Sequence, residues 1–160
     1  MNVILQLLPW KRGLYLSIGI LTILFVLSFY GLYTNKFYFF KFENYVIPIL
    51  SIVHFGFLYV LNFKINEREV ADLPMRNLEY GLYGILLVYV FKLIDSLFIL
   101  LGMEDFENHV IPDTFMPMGI FIFALYLLLI LLTLLTFKYR KKFVGSYDFD
   151  EINQIDSWEE

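Results

Sequence analysis

Five side chains lie in otherwise apolar surroundings and are equipped for chemistry: Ser28, His54, Lys92, Asp95 and Tyr126. Histidine titrates near neutral pH, a carboxylate can hold or release a proton, and hydroxyls can bridge between them. An ionised Lys or Asp deep in hydrocarbon costs about 2.5–3.5 kcal/mol on insertion scales, so such residues are hidden in a bundle and often mark an ion or substrate path. Lys92 and Asp95, three positions apart on one helix, can instead neutralise each other, although Lys before Asp is the less favourable order against the helix dipole. A lone His54 more often hydrogen-bonds a neighbouring helix than carries protons. Both readings of the cluster, structural and functional, stay open at this point.

The elements that must hold these residues are four long apolar stretches, at about 14–34, 45–63, 78–101 and 116–137. A hydrocarbon core about 30 Å thick takes about 20 helical residues. These stretches are apolar on nearly every side, unlike the one-striped helices of water-soluble proteins. The expected fold is therefore all-α: an integral membrane four-helix bundle, antiparallel, up-down-up-down. Residues 1–137 form the transmembrane domain, and 138–160 form a basic juxtamembrane stretch followed by an acidic tail. Depth along each span places His54 and Tyr126 near the centre, Lys92 slightly outward, and Asp95 and Ser28 about one turn further.

Since an apolar face is uninformative in lipid, small and polar residues are taken to mark the bundle interior. On the first span these are Gly13, Ser17, Leu24, Ser28 and Gly31, and on the second His54 with Ser51 at its edge. On the third they are Asn77, Gly81, Gly84, Val88, Lys92, Asp95 and Gly102, and on the fourth Gly119, Tyr126, Leu129, Thr133 and Arg140.

Basic residues set the orientation. Lys11 and Arg12, then Lys64, Arg68 and Arg76, then Lys138, Arg140, Lys141 and Lys142 flank one side, against Lys36 and Lys41 on the other. The positive-inside rule puts both termini and the middle connection in the cytoplasm, N-in and C-in, with the chain integral to the cytoplasmic (inner) membrane. The segment from Val3 to Trp10 is short and apolar and is expected to lie in the interface. Tyr30, Tyr33, Tyr45 and Phe115 are read as an outer aromatic belt, and Tyr15, Tyr80, Tyr83 and Tyr139 as an inner one. The aromatic connection 35–44 is expected to rest on the membrane surface.

In the tail, Phe149, Ile152, Ile155 and Trp158 recur at near-helical spacing among acids. This fits either a frayed acidic terminus or a peptide that docks on a cytoplasmic partner. Glu104, Asp105, Glu107 and Asp113 offer oxygen ligands without the spacing of a calcium loop, and are read as a solvated acidic connection.

At 160 residues, 59% of them hydrophobic and 18% charged, the chain holds one bundle and no second core. There is no cysteine, which excludes disulfides and thiolate chemistry, and alanine occurs only at Ala71 and Ala124, a bias read as bacterial. Phosphate-binding glycine loops, G-x-S-x-G and H-E-x-x-H are absent, and the basic residues are already explained by topology rather than nucleic acid. In length and number of spans the chain resembles the lipoprotein signal peptidases, but that family uses two intramembrane aspartates. Here Asp95 stands alone and Asp113 lies in a connection. Small multidrug transporters carry their essential glutamate in the first helix, which here has no acid. The expectation is a non-enzymatic membrane protein without cofactor or metal, acting as a subunit or assembly component among membrane-protein partners in the bilayer. The alternative is a small proton- or ion-coupled transporter or channel using His54, Lys92 and Asp95.

Overall fold

The structure, a computed structural model, describes residues 8–102 and 111–147. It is helical, with four helices long and apolar enough to cross a membrane. They are α1 (Trp10–Leu27), α2 (Val46–Glu67), α3 (Leu73–Leu101) and α4 (Phe115–Phe143). Between α1 and α2 lie two very short strands, β1 (Tyr30–Gly31) and β2 (Lys36–Phe37), and a 3₁₀ turn at Phe42–Tyr45. The exterior is crowded with exposed apolar side chains such as Ile52, Tyr59, Leu87, Phe91 and Phe98. That surface suits hydrocarbon and not water.

The element boundaries depart from the sequence expectation at several places, among them the end of α2, which runs four residues past Phe63 to Glu67. The first span was expected to reach Thr34, but α1 stops at Leu27. The chain then reverses in a hairpin that pairs Tyr30 with Phe37 and Gly31 with Lys36. Asn35 takes a positive φ of 52° at the turn. Gly31 is required there, because a Cβ would sit 2.7 Å from the Tyr38 ring. Hairpin and helix are equally apolar in this stretch, so hydropathy could not separate them. α3 begins five residues before the expected Leu78, because Asp72 caps it by accepting the Met75 amide at 3.0 Å, with Pro74 in the first turn. α4 runs on through the basic cluster to Phe143 rather than ending at Phe137. Trp10, expected in a flat interfacial segment, opens α1; residues 1–7 lie outside the described part, as does the tail from 148.

Buried hydroxyls are satisfied within their own helices. Ser17 donates to the Gly13 carbonyl, Ser51 to Ile47, Thr133 to Leu129 and Thr136 to Leu132, at 2.7–2.9 Å. In a low-dielectric surrounding an unpaired hydroxyl would cost several kcal/mol, so these local bonds let polar residues sit inside. The inward stripes expected for α2 and α4 are buried: Ser51, His54, Gly119, Tyr126, Leu129, Thr133 and Arg140. On α1, Gly13, Ser17 and Leu24 are buried, whereas Ser28 and Gly31 lie beyond the helix.

On α3 the expectation fails. Its buried residues are Met75, Glu79, Leu82, Ile85, Tyr89 and Ser96. Asn77, Gly81, Gly84 and Asp95 are exposed, and Val88 and Lys92 are half-buried. The helix is turned so that larger side chains fill the core and the small-residue stripe faces outward. Of the expected belt residues, Tyr139 and Phe115 are buried, while Tyr83 stays exposed and turns its hydroxyl toward Glu79. Phe115 is buried and its ring lies 5.0 Å from that of Tyr33, while Tyr139 donates to the Leu8 carbonyl at 2.6 Å and Tyr83 donates to Glu79.

Helix ends are locked by charge. Near the start of α3, Glu79 is 1% exposed and takes two bonds from Arg140 near the end of α4, both at 2.7 Å. Tyr83 and Tyr147 donate to the same carboxylate, and the remaining guanidinium edge donates to the Gly145 carbonyl at 2.9 Å. The guanidinium also lies 4.3 Å from the Tyr147 ring centre. Burial and the Glu79 carboxylate together push the Tyr147 hydroxyl above its ordinary range. A second lock joins α2 to α3, where Lys64 reaches Glu69 and Asp72, each at 2.8 Å. Burial alone would raise the Asp72 carboxyl, but Lys64 and the Met75 amide hold it below its ordinary value.

Removing one member of a buried ion pair strands the other charge, at a cost of about 3–5 kcal/mol. Glu79→Gln should therefore lower the thermal unfolding midpoint in detergent far more than Lys92→Gln, whose loose pair is worth under about 1 kcal/mol. Equal shifts for the two variants would contradict the clamp's role.

Candidate functional site

Four of the five chemistry-bearing residues come together, and the fifth does not. Ser28, Lys92, Asp95 and Tyr126 line one crevice of about 290 Å³ at the hairpin end of the molecule. Each reaches it from a different element or turn: Ser28 follows α1, Lys92 and Asp95 stand on consecutive turns of α3, and Tyr126 projects from α4. The hairpin and 3₁₀ turn supply the remaining polar wall, through Tyr30, Lys41, Glu43 and Asn44. Leu27, Ile47, Ile99 and Ile122 make up the apolar wall.

The crevice carries two cations and two anions. Lys92 and Asp95 are 3.8 Å apart, too far for a hydrogen bond, with side chains 39% and 59% exposed. They sit at the lip of the crevice and not in the bundle core where depth reasoning placed them. Lys41 and Glu43 make a closer pair at 2.8 Å, with both side chains more than half exposed. Ser28 and Ser96 each donate to a carbonyl of their own chain turn, Phe25 and Leu93, and keep their lone pairs available.

His54 lies apart. It is fully buried on α2, and its Nδ1 shares a hydrogen bond with the Tyr89 hydroxyl of α3 at 3.2 Å. The two rings are roughly parallel, with centres 5.9 Å apart. Among the described residues Nε2 meets no partner, in whichever tautomer the ring adopts. A proton relay needs a group on each side of the imidazole, and this one has Tyr89 alone among them. The geometry is that of a bond holding α2 to α3.

Comparison with protein families, curated proteins and solved structures returned no match for this chain. What the site can do rests on its own chemistry. Among the described residues no three His, Asp or Glu side chains converge to hold a metal ion. Of the acidic connection only Asp113 is described; Glu104, Asp105 and Glu107 lie outside, as do Phe149, Ile152, Ile155 and Trp158 of the tail.

Sequence reasoning passed over Glu79, Tyr89, Lys41 and Glu43. The first had a usable signal: an acid inside an apolar run, at the same end as Arg140, which was already placed on the inward arc of α4. Tyr89 offered none, since twelve tyrosines populate the chain and most read as interfacial anchors.

The His54–Tyr89 bond should be worth about 1 kcal/mol, the usual net value of a buried hydrogen bond. In a double-mutant cycle on thermal unfolding, Tyr89→Phe should destabilise the native chain by that amount and a His54→Leu chain by much less. A coupling within about 0.3 kcal/mol of zero, the usual additivity error, would show that the two side chains only pack.

Proposed function

We propose that this chain is a small non-enzymatic membrane subunit that assembles with another integral membrane protein through the outward face of α3. The observation that carries it is the placement of Asn77, Gly81 and Gly84 on a surface its own bundle does not use. A methyl group added at Gly84 would meet nothing within 4 Å, and at Gly81 the nearest atom is Val53 Cγ1 at 3.7 Å. Glycine inside a helix costs about 1 kcal/mol relative to alanine, and packing within this chain gives no reason for either one. In lipid, small residues on a helix surface let a second backbone approach, and a side-chain amide such as Asn77 bonds across the contact.

The membrane arrangement belongs to the same reading. Contacts between the start of one helix and the end of another support up-down-up-down order: Glu79 with Arg140, Gly119 beside Leu100, and Gly13 against Tyr139. The distribution of Lys and Arg supports cytoplasmic termini in a bacterial inner membrane, with the hairpin outside. The transporter alternative draws support from the crevice that Lys92 and Asp95 line. Against it stand the clamp of Glu79 and Arg140 at the opposite end and the tightly buried Leu21, Phe57, Leu82 and Leu129 between.

The test is purification of the tagged chain from its native membrane in mild detergent. A second membrane protein should co-purify in constant ratio, and Gly81→Leu with Gly84→Leu should release it without shifting the chain's own unfolding midpoint. Recovery of the chain alone, or a partner indifferent to those substitutions, would overturn the reading.

A further inference from the structure

The crevice at the hairpin end differs in kind from the α3 face, because its walls combine both signs of charge with an apolar flank. We propose that it binds the headgroup of a phospholipid bearing a primary amine, with the phosphate against Lys41 and Lys92 and the ammonium between Glu43 and Asp95. The assignment is independent of what packs on Asn77 and Gly81.

Charge comes first. Two lysines and two carboxylates line the crevice, which is neutral as a whole: Lys41 and Glu43 pair at 2.8 Å where both side chains are more than half exposed, so that pair opens at little cost, and Lys92 and Asp95 stand 3.8 Å apart. A zwitterion satisfies both signs and adds no net charge; an anionic headgroup satisfies only the lysines and faces Glu43 and Asp95 with like charge. At 3.8 Å, Lys92 and Asp95 are beyond hydrogen-bond reach, so each keeps hydrogen-bonding capacity for a third group. A primary ammonium supplies three N–H donors to carboxylates, as a lysine does, whereas a trimethylated one supplies none.

Shape and level agree. A volume of about 290 Å³ suits a headgroup and not a whole lipid. Leu27, Ile99 and Ile122 continue the wall along the helices, giving acyl chains a path into hydrocarbon. The hairpin aromatics lie at the same end, with Phe37 and Phe39 stacked and Phe40 fully exposed, which fits the headgroup layer.

The experiment uses the full chain in mild detergent, exposed to equimolar ethanolamine, choline and glycerol phospholipids of identical acyl chains, with bound lipid read by native mass spectrometry. The ethanolamine lipid should be retained roughly tenfold over the choline lipid, as expected for one charge-assisted bond gained. Asp95→Asn should abolish that preference and Lys92→Gln should weaken retention of the ethanolamine and choline lipids alike, both being partly exposed positions, while Lys36→Gln on the hairpin should do neither. Free O-phosphoethanolamine in millimolar excess should fail to displace the lipid, since it lacks the acyl contacts. Equal retention of the three lipids, preference for the glycerol lipid, displacement by the free headgroup, or a preference that survives Asp95→Asn would each overturn the proposal. Should Asp95→Asn fail to fold, the native chain's selectivity and Lys92→Gln decide the matter.

Discussion

Hydrocarbon offers no hydrogen bonds, so a polar group placed within it is costly unless the chain itself supplies a partner. The backbone responds by forming four long helices, whose amides and carbonyls are paired within each helix. Buried Ser and Thr hydroxyls close onto carbonyls one turn back, at Ser17, Ser51, Thr133 and Thr136. The one deeply buried carboxylate among the described residues, Glu79, is met by both nitrogens of a bidentate guanidinium and by two tyrosine hydroxyls. Each device answers the same constraint at a different scale.

The two ends of the bundle consequently have different characters. At the Arg140 end, charge is consumed: Glu79 with Arg140, and Lys64 with Glu69 and Asp72, leave ionic groups paired in close geometry. At the hairpin end the charges are exposed: Lys41 and Glu43 pair at the surface, and Lys92 and Asp95 stand 3.8 Å apart at an open crevice.

The sequence was legible where hydropathy alone decides. The four spans were plain because the runs at 45–63, 78–101 and 116–137 are apolar on all sides. Hydropathy could not place the end of α1, since the hairpin Tyr30–Phe37 is as aromatic as a helix and differs only in needing Gly31 and Asn35 to turn. The orientation of α3 was misread for a more general reason. Small residues mark a place where helices can meet, yet they do not say whether the second helix belongs to the same chain. Large residues such as Leu82 and Tyr89, which were not on the expected inward stripe, form the core. Of the site residues, Lys92, Asp95, Ser28 and Tyr126 line one crevice, with Lys92 and Asp95 partly exposed and not in the core, whereas His54 is buried apart from them against Tyr89. Glu79 escaped notice since charges near span ends are ordinarily explained by topology.

The account stands on lipid surrounding these helices, and the absence of cysteine allows a direct check with single introduced thiols. Ile52 is the decisive position, because its side chain is 68% exposed on the protein surface and only lipid would shield it. In native membranes, Phe40→Cys should react with an impermeant maleimide from outside, Arg68→Cys only once the membrane is opened, and Ile52→Cys in neither condition. A thiol at Ile52 reacting as fast as one at Phe40, or Phe40 and Arg68 labelling from the same side, would contradict it.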